Sequence, residues 1–330
     1  MQSGELSFEQ SDTYDNPENS GNIYVLINKK ASGVKQIRQN LGELMLSDYG
    51  PRIERIYTEG DFDKDVQTVT DELRPGDKLL IGGGEYTARV GVRALISDEL
   101  FDSEIEMLLL RGGDGADGSR MTIGRKYKDH PSRALTEGYS EEAFPFLVKI
   151  KNSEEITHYP LAYFGVGNFA RMVKIFGSEE FRLHPLYQSR TTRTMLQAMH
   201  SLKHFPERES FLAEDSSGNI KELYEFFVAN GRRIAKFGDL PIKLENPEAW
   251  VAELRKYDDK IIDNAYSTLW LGRLAAGLPQ GYRKHNLVTT KLTVHSDTDM
   301  HIDGDHEHLP AGSKIEISRS PRSVKLIVAR

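Results

Sequence analysis

Short apolar runs alternate with amphipathic stretches along the first third of the chain. Residues 22–28, Asn-Ile-Tyr-Val-Leu-Ile-Asn, read as a buried strand. Ala31-Ser32-Gly33 is a turn, and Val34, Ile37, Leu41 and Leu44 then recur at helical spacing. Residues 52–58 predict a second strand, and residues 63–73 a helix stopped by Pro75-Gly76. The apolar run Lys78-Leu79-Leu80-Ile81 leads into Gly82-Gly83-Gly84-Glu85-Tyr86-Thr87, after which residues 87–96 read as a helix. Residues 104–110 give a fourth strand, followed by a stretch rich in Gly and Asp at 111–118. This β-α-β-α-β-α-β succession implies parallel strands joined by right-handed crossovers. The expected first domain is therefore α/β with a parallel sheet, spanning residues 22–144.

From about residue 145 the pattern changes. Residues 144–150 and 220–230 predict strands. Residues 161–178 and 187–204 read as helices, with Met172, Val173 and Ile175 as core, and residues 248–277 as one or two more. Late strands are expected at 287–294, 300–302, 314–317 and 324–328, with Trp250 and Trp270 in the core or at a domain interface. The second domain, residues 145–312, is thus expected to be a strand-rich α+β unit. Residues 1–21 are polar, lack apolar periodicity and read as a disordered tail.

Composition narrows the function classes. A chain of 330 residues has room for two domains. A net charge of −7 argues against a nucleic-acid partner, although Arg190, Arg193, Lys203 and His204 form a local basic group. The absence of cysteine excludes disulfides and thiolate catalysis and suits a cytoplasmic setting. No apolar run reaches the ~18 residues of a membrane span, so any membrane contact is expected to be peripheral.

Ligands of parallel sheets gather at the carboxyl ends of the strands. Asn28, Thr58, Gly83 and Gly113 all fall at such ends. A strand, a Gly-rich turn and a helix N-terminus suit a phosphate, which makes a nucleotide the first ligand to consider. The Gly82 loop lacks the lysine of a Walker loop. Residues 113–118 satisfy Gly-x-Gly-x-x-Gly formally, but Asp114 and Asp117 would face a pyrophosphate with like charge. The cluster His295, Asp297, Asp299, His301, Asp303, Asp305, His306, Glu307 and His308 invites a metal reading. Period-two alternation instead puts His295 to Asp303 on one polar strand face, with Met300 and Ile302 opposite and Asp303-Gly304 as a hairpin turn. Gly165-Val166-Gly167-Asn168 reads as close strand–helix packing or an anion cradle.

The order of these signals resembles the diacylglycerol/sphingosine-type lipid kinase family, which shares its nucleotide-binding architecture with NAD kinases. Residues 23–28 with Ser32-Gly33 resemble the opening strand and Asn-Pro-x-x-Gly turn, with Lys29 in place of the proline. Thr58 with Glu59-Gly60-Asp61 resembles the threonine closing the second strand. Gly83-Gly84-Glu85-Tyr86-Thr87 stands at Gly-Gly-Asp-Gly-Thr, and residues 111–117 at Pro-x-Gly-Thr-x-Asn-Asp, with Asp114 and Ala116 replacing Thr and Asn. Asn230-Gly231 resembles the Asn-Gly of the second domain, and Asp303-Gly304-Asp305 the late Asp-Gly-Glu. The acidic metal loop that follows Asn-Gly in the family has no counterpart between Asn230 and Tyr282.

The resemblance implies an NAD kinase-like fold whose closing strands, residues 313–330, return toward the first domain. It implies ATP at Asn28, Thr58, Gly83, Gly84, Glu85, Tyr86, Thr87 and Asp114, Mg2+ on the phosphates, and Asp305 as the general base with Asp303 orienting it. The acceptor would be a diacylglycerol-like or sphingoid hydroxyl at a membrane surface, with a homodimer as a further expectation. Two alternatives stay open: a nucleotide-binding regulatory protein without phosphotransfer, and an NAD kinase-like transferase.

Overall fold

The first apolar run forms β1 (Ile23–Ile27), all five residues of which are buried. The coordinates are a computed structural model. They describe residues 21–29, 31, 33–110, 122–127, 129–178, 209–230, 248–275, 282–286, 289–303 and 305–329. The expected tail and the 187–204 helix lie outside these residues, apart from Gly21 at the tail's end. Beside β1 stand β2 (Ile53–Tyr57), β3 (Lys78–Gly82) and β4 (Glu106–Leu109), all parallel. The sheet is completed by β5 (Tyr139–Ala143) and the late strand β17 (Val324–Val328), in the order β2-β1-β3-β4-β17-β5. Strand β17 runs parallel to β4 and antiparallel to β5.

Both faces of this sheet are covered, which is why its inner strands read as continuous apolar runs. Leu26, Leu79, Ile81 and Met107 pack on one face with α2 (Phe62–Glu72) and α3 (Glu85–Leu95), through Val69 and Val90. Val25, Ile27, Leu80 and Leu108 face the other side, against Ile37 and Leu44 of α1 (Val34–Met45) and Ala134 of α4 (Pro131–Glu137). Helix α2 starts where the Asp61 carboxylate accepts the Lys64 N–H. It stops before Gly76, whose positive φ turns the chain into β3.

The second sheet is antiparallel. Its strands are β6 (Phe146–Lys151), β7 (Glu155–His158), β8 (Tyr163–Gly167), β9 (Phe211–Asp215), β10 (Ile220–Ala229), β11 (Glu248–Arg255), β12 (Tyr282–Asn286), β13 (Thr290–Val294), β14 (Thr298–Ile302), β15 (Asp305–Leu309) and β16 (Lys314–Arg319). Their main order is β15-β14-β8-β10-β9-β13-β16-β6-β7, and β11 pairs with β10 and β12. Phe146, Val148 and Ile150 alternate inward on β6 and join Phe164, Val166, Phe226, Val228, Met300, Ile302 and Ile317 in one core. Strand β16 belongs to this sheet and β17 to the first. Among the described residues, no helix is long and apolar enough to cross a membrane.

Two helical expectations are corrected. Residues 161–178 split into β8 and α5 (Asn168–Gly177), because Gly167 takes φ +122 and breaks the run. Residues 248–277 split into β11 and α6 (Lys260–Ala275), because residues 248–255 pair with both β10 and β12. The Asp259 carboxylate then accepts the Ile261 and Ile262 N–H groups at the start of α6. Cross-strand pairing overrides the helical pattern in the second case.

One carboxylate fastens the second sheet where it meets the first domain. Asp303, buried at φ +49 in the β14–β15 turn, accepts the N–H groups of Leu161, Ala162 and Tyr163 at 2.7, 2.8 and 2.8 Å. Burial pushes its carboxyl up to about 6, while the three backbone donors pull it down. Beside it, the Asn230 amide donates to the Phe144 and Leu161 carbonyls at 2.8 and 2.9 Å. Asp303→Ala leaves three buried donors without an acceptor and is expected to cost at least about 3 kcal/mol, each orphaned group carrying about 1–3 kcal/mol. Urea unfolding of the full chain measures this.

Candidate active site at the strand ends and the domain boundary

Asn28, Thr58 and Gly83 follow three neighbouring parallel strands and meet at one edge of the sheet. The Asn28 N–H donates to the Gly82 carbonyl at 3.2 Å, and the Thr58 N–H to the Ile27 carbonyl at 3.0 Å. The Lys29 ammonium lies 3.9 Å from the centre of the Tyr57 ring and adds a cation at this edge. Helix α3 opens here from an extended Gly84, and no side chain caps it. Thr87 is fully buried with its Oγ1 unpartnered, directly beneath Gly83, where a Cβ would overlap its hydroxyl. Around Gly84 a Cβ would meet open space. Gly83 is therefore fixed by packing, whereas Gly84 leaves the approach to the helix N-terminus clear. The arrangement fits an anion on the first turn of α3. Glu85 is the carboxylate of that turn.

Tyr86, in the same turn, has a partner on α2. It takes helical backbone geometry, and its hydroxyl donates to Asp65 Oδ2 at 2.7 Å. Burial, ahead of the Asp65 bond, raises the phenol above its ordinary range. Asp65 also accepts the Glu59 and Gly60 N–H groups at 2.8 and 3.1 Å. Tyr86 thus braces the loop after β2 through its hydroxyl. Asp114 and Gly113 lie outside the described residues.

Asp305 opens β15, opposite Ile302, and its carboxylate accepts a bond from Arg89 Nη2 of α3 at 2.7 Å. Burial pushes the Asp305 carboxyl up, Arg89 pulls it down and Glu307 raises it again. Arg89 also lies 3.7 Å from Glu307 Oε1, and His158 Nε2 lies 3.8 Å from Glu307 Oε2. Burial, with Arg89 adding to it, lowers His158 to about 4, so the imidazole is neutral at pH 7. Asp303 does not orient Asp305 by direct contact; it fixes the turn that precedes it. Arg89 and His158 were missed in the sequence, and Glu307 was seen only as a member of the late acidic and histidine cluster; the one available signal for Arg89 was a cation two residues past Thr87.

The His/Asp cluster divides among separate partners. His295 pairs with Glu214 at 3.0 Å, and Asp297 accepts the Ala311 N–H at 2.8 Å. Asp299 pairs with His306 at 2.9 Å and lies 3.5 Å from Arg171. His301 is buried, its Nε2 3.7 Å from Glu225 Oε1. Both 295 and 297 precede β14, so the expected single strand face is not formed. Among the described residues, no three such groups converge as a metal site.

Glu225 answers the question posed by residues 165–168. Its Oε2 accepts the Phe169 N–H at 2.9 Å in the first turn of α5, so the cradle holds a carboxyl group of the chain itself. Gly165 packs on the His301 ring, with no room for a Cβ, and Tyr163 and Phe227 flank that ring at 5.5 and 5.6 Å between centroids. Burial pushes Glu225 well above the carboxylate range and lowers His301 to about 3. A raised folded value contributes stability below the unfolded value of 4.5 that is lost as pH rises through the folded one. Glu225→Gln keeps the acceptor and removes the charge. It is expected to raise the melting temperature relative to the parent at pH 8, with the gain disappearing near pH 4, in paired thermal scans.

Comparison with protein-family models and with curated proteins gives no match. Solved structures do match over nearly the whole chain. A "putative diacylglycerol kinase" from Bacillus anthracis str. Sterne is 15% identical at TM-score 0.65, with 94% of this chain and 98% of that one covered. Another structure described in the same words, from the same organism, is 14% identical at TM-score 0.62, covering 93% and 97%. A third, a diacylglycerol kinase of that organism, is 12% identical at TM-score 0.56, covering 93% and 97%. The parallel sheet with its returning β17, joined to a large antiparallel sheet, is thus the fold that these structures share with this chain.

Proposed function

We propose that this protein transfers the γ-phosphoryl group of ATP to the hydroxyl of a lipid, as a divergent member of the diacylglycerol kinase-like family. The observation that carries the reading is the bond from Arg89 of α3, the helix that begins at the strand ends, to Asp305 of the second sheet, within a fold shared with diacylglycerol kinase structures. The phosphates of substrate ATP would lie on Gly83, Gly84 and the first turn of α3, with Asn28 and Thr58 beside the nucleotide. Mg2+ would accompany the phosphates, and Glu85, the carboxylate of that turn, would help hold it, since Mg2+ commonly takes one or two carboxylates plus phosphate oxygens. The ion would neutralise charge on the transferring group.

Asp305 would accept the proton of the lipid hydroxyl as its oxygen bonds to the γ-phosphorus and the bond to the departing ADP breaks. The acceptor would enter between the domains from a membrane surface. A second reading, nucleotide binding without transfer, is favoured by one observation: the Asp305 carboxylate is already engaged by Arg89.

Radiolabelled ATP, Mg2+ and a total lipid extract separate the readings. A labelled lipid supports transfer, ATP binding without label supports the second reading, and no ATP binding overturns both. Asp305→Asn is expected to lower turnover by about 10²–10⁴ with ATP affinity kept; unchanged turnover removes the base assignment. Gly83→Ala forces a methyl into the Thr87 side chain and is expected to abolish ATP binding, measured by calorimetry on protein shown to be folded by circular dichroism.

A further inference from the structure

We propose that Arg89 is the positioning residue of the transfer site, an interdomain counter-ion that holds the Asp305 carboxylate charged and aimed from the helix that receives the phosphates. This rests on the reading of Asp305 as the acceptor-side base. Arg89 belongs to α3, the helix that begins at Gly84, whereas Asp305 belongs to β15 of the other sheet, 216 residues away in sequence. Their 2.7 Å bond therefore couples the phosphate edge to the acceptor side.

The asymmetry of exposure identifies the fixed partner. The Arg89 side chain is 11% exposed and that of Asp305 37%, so the guanidinium is the embedded member and the carboxylate the more exposed one. Arg89 is held in place over the Phe62 ring, 5.7 Å from its centre, and its buried Nε has no hydrogen-bond partner. A planar guanidinium fixes a carboxylate in direction as well as in charge.

The groups around Asp305 make the cation necessary. Glu307 on the same strand opposes its ionisation. His158 on β7, neutral at pH 7, supplies no charge. Asp303, on the preceding turn, spends its oxygens on the backbone of 161–163. His306 is paired with Asp299. Arg89, bonded to Asp305 at 2.7 Å, is the cation whose attraction opposes burial and Glu307, although burial still leaves the carboxyl raised. A base must be deprotonated before it can accept a proton, so this pairing sets the pH range in which Asp305 can act.

Two readouts on the full-length protein test this. The first is the carboxyl 13C titration of Asp305, assigned by its absence in Asp305→Asn. The second is the pH profile of kcat/KM for lipid phosphorylation. In Arg89→Met the Asp305 titration is expected to move to higher pH and the acid limb of the profile to move with it. Turnover at neutral pH should fall about 10²-fold, the scale of a misplaced reacting group. Arg89→Lys should restore the titration but not the full rate, since it returns charge without the planar fork. If Arg89→Met does not fold, Arg89→Gln carries the same comparison. An Asp305 titration unmoved by loss of the guanidinium overturns the proposal, whatever the rate. Undiminished turnover in Asp305→Asn instead overturns the base assignment, so the two failures are distinct.

Discussion

The placement of the candidate site depends on a buried carboxylate that carries no part of the chemistry. Asp303 gathers three consecutive backbone N–H groups at the entry to β8. In return, the Asp303 N–H donates to the Tyr163 carbonyl at 2.9 Å. This closes the β14–β15 turn onto the start of β8, beside the Asn230 amide that ties down Phe144 and Leu161. The left-handed backbone at Asp303 is strained for a non-glycine residue, and the bonds to the 161–163 backbone are what hold it there. Fixing the turn fixes the first residue of β15, and that residue is Asp305. A loose turn would leave Asp305 free to swing away from α3.

The edge where the parallel strands end is built by the opposite means, from small residues. Gly83 gives up its side-chain volume to Thr87, and Gly84 keeps the space outside the helix clear. The three strand ends are locked to one another by ladder bonds that continue past β1 and β2. A ligand there would meet donors whose positions are set by the sheet and cost little reorganisation on binding, which is the condition for strong electrostatic stabilisation.

The first domain was largely legible because local pattern and tertiary structure agree in it. Leu79, Leu80 and Ile81 are apolar in succession since neighbours cover both faces, and Val34, Ile37, Leu41 and Leu44 repeat at the period of the helix they form. The second domain was less legible because its local pattern is ambiguous. Tyr163–Gly167 and the following Phe169-Ala170 make one apolar stretch, and only the positive φ at Gly167 divides it. Residues 248–255 carry no strong alternation and become a strand through pairing on both sides. The late strands were seen, but not the division of their polar residues among Glu214, Glu225, Arg171 and the turn at Ala311. Contacts of this kind join residues far apart in sequence, and no spacing rule reaches them. Arg89 belongs to the same class: its partner is on the other domain.

Asp303 and Asp305 show how environment divides two identical side chains two residues apart. Burial raises both above the ordinary carboxylate range. Asp303 is compensated chiefly by dipoles, three backbone N–H groups that engage both of its oxygens. Asp305 is compensated by a full charge that reaches it from α3 of the other sheet, while part of its side chain stays exposed. The first arrangement is static, since breaking it unseats the turn. The second is conditional, since an ion pair across a domain boundary exists only while the domains sit together. Separation of α3 from β15 would take the counter-ion away from Asp305, so the packing of these two elements and the charged state of Asp305 support each other.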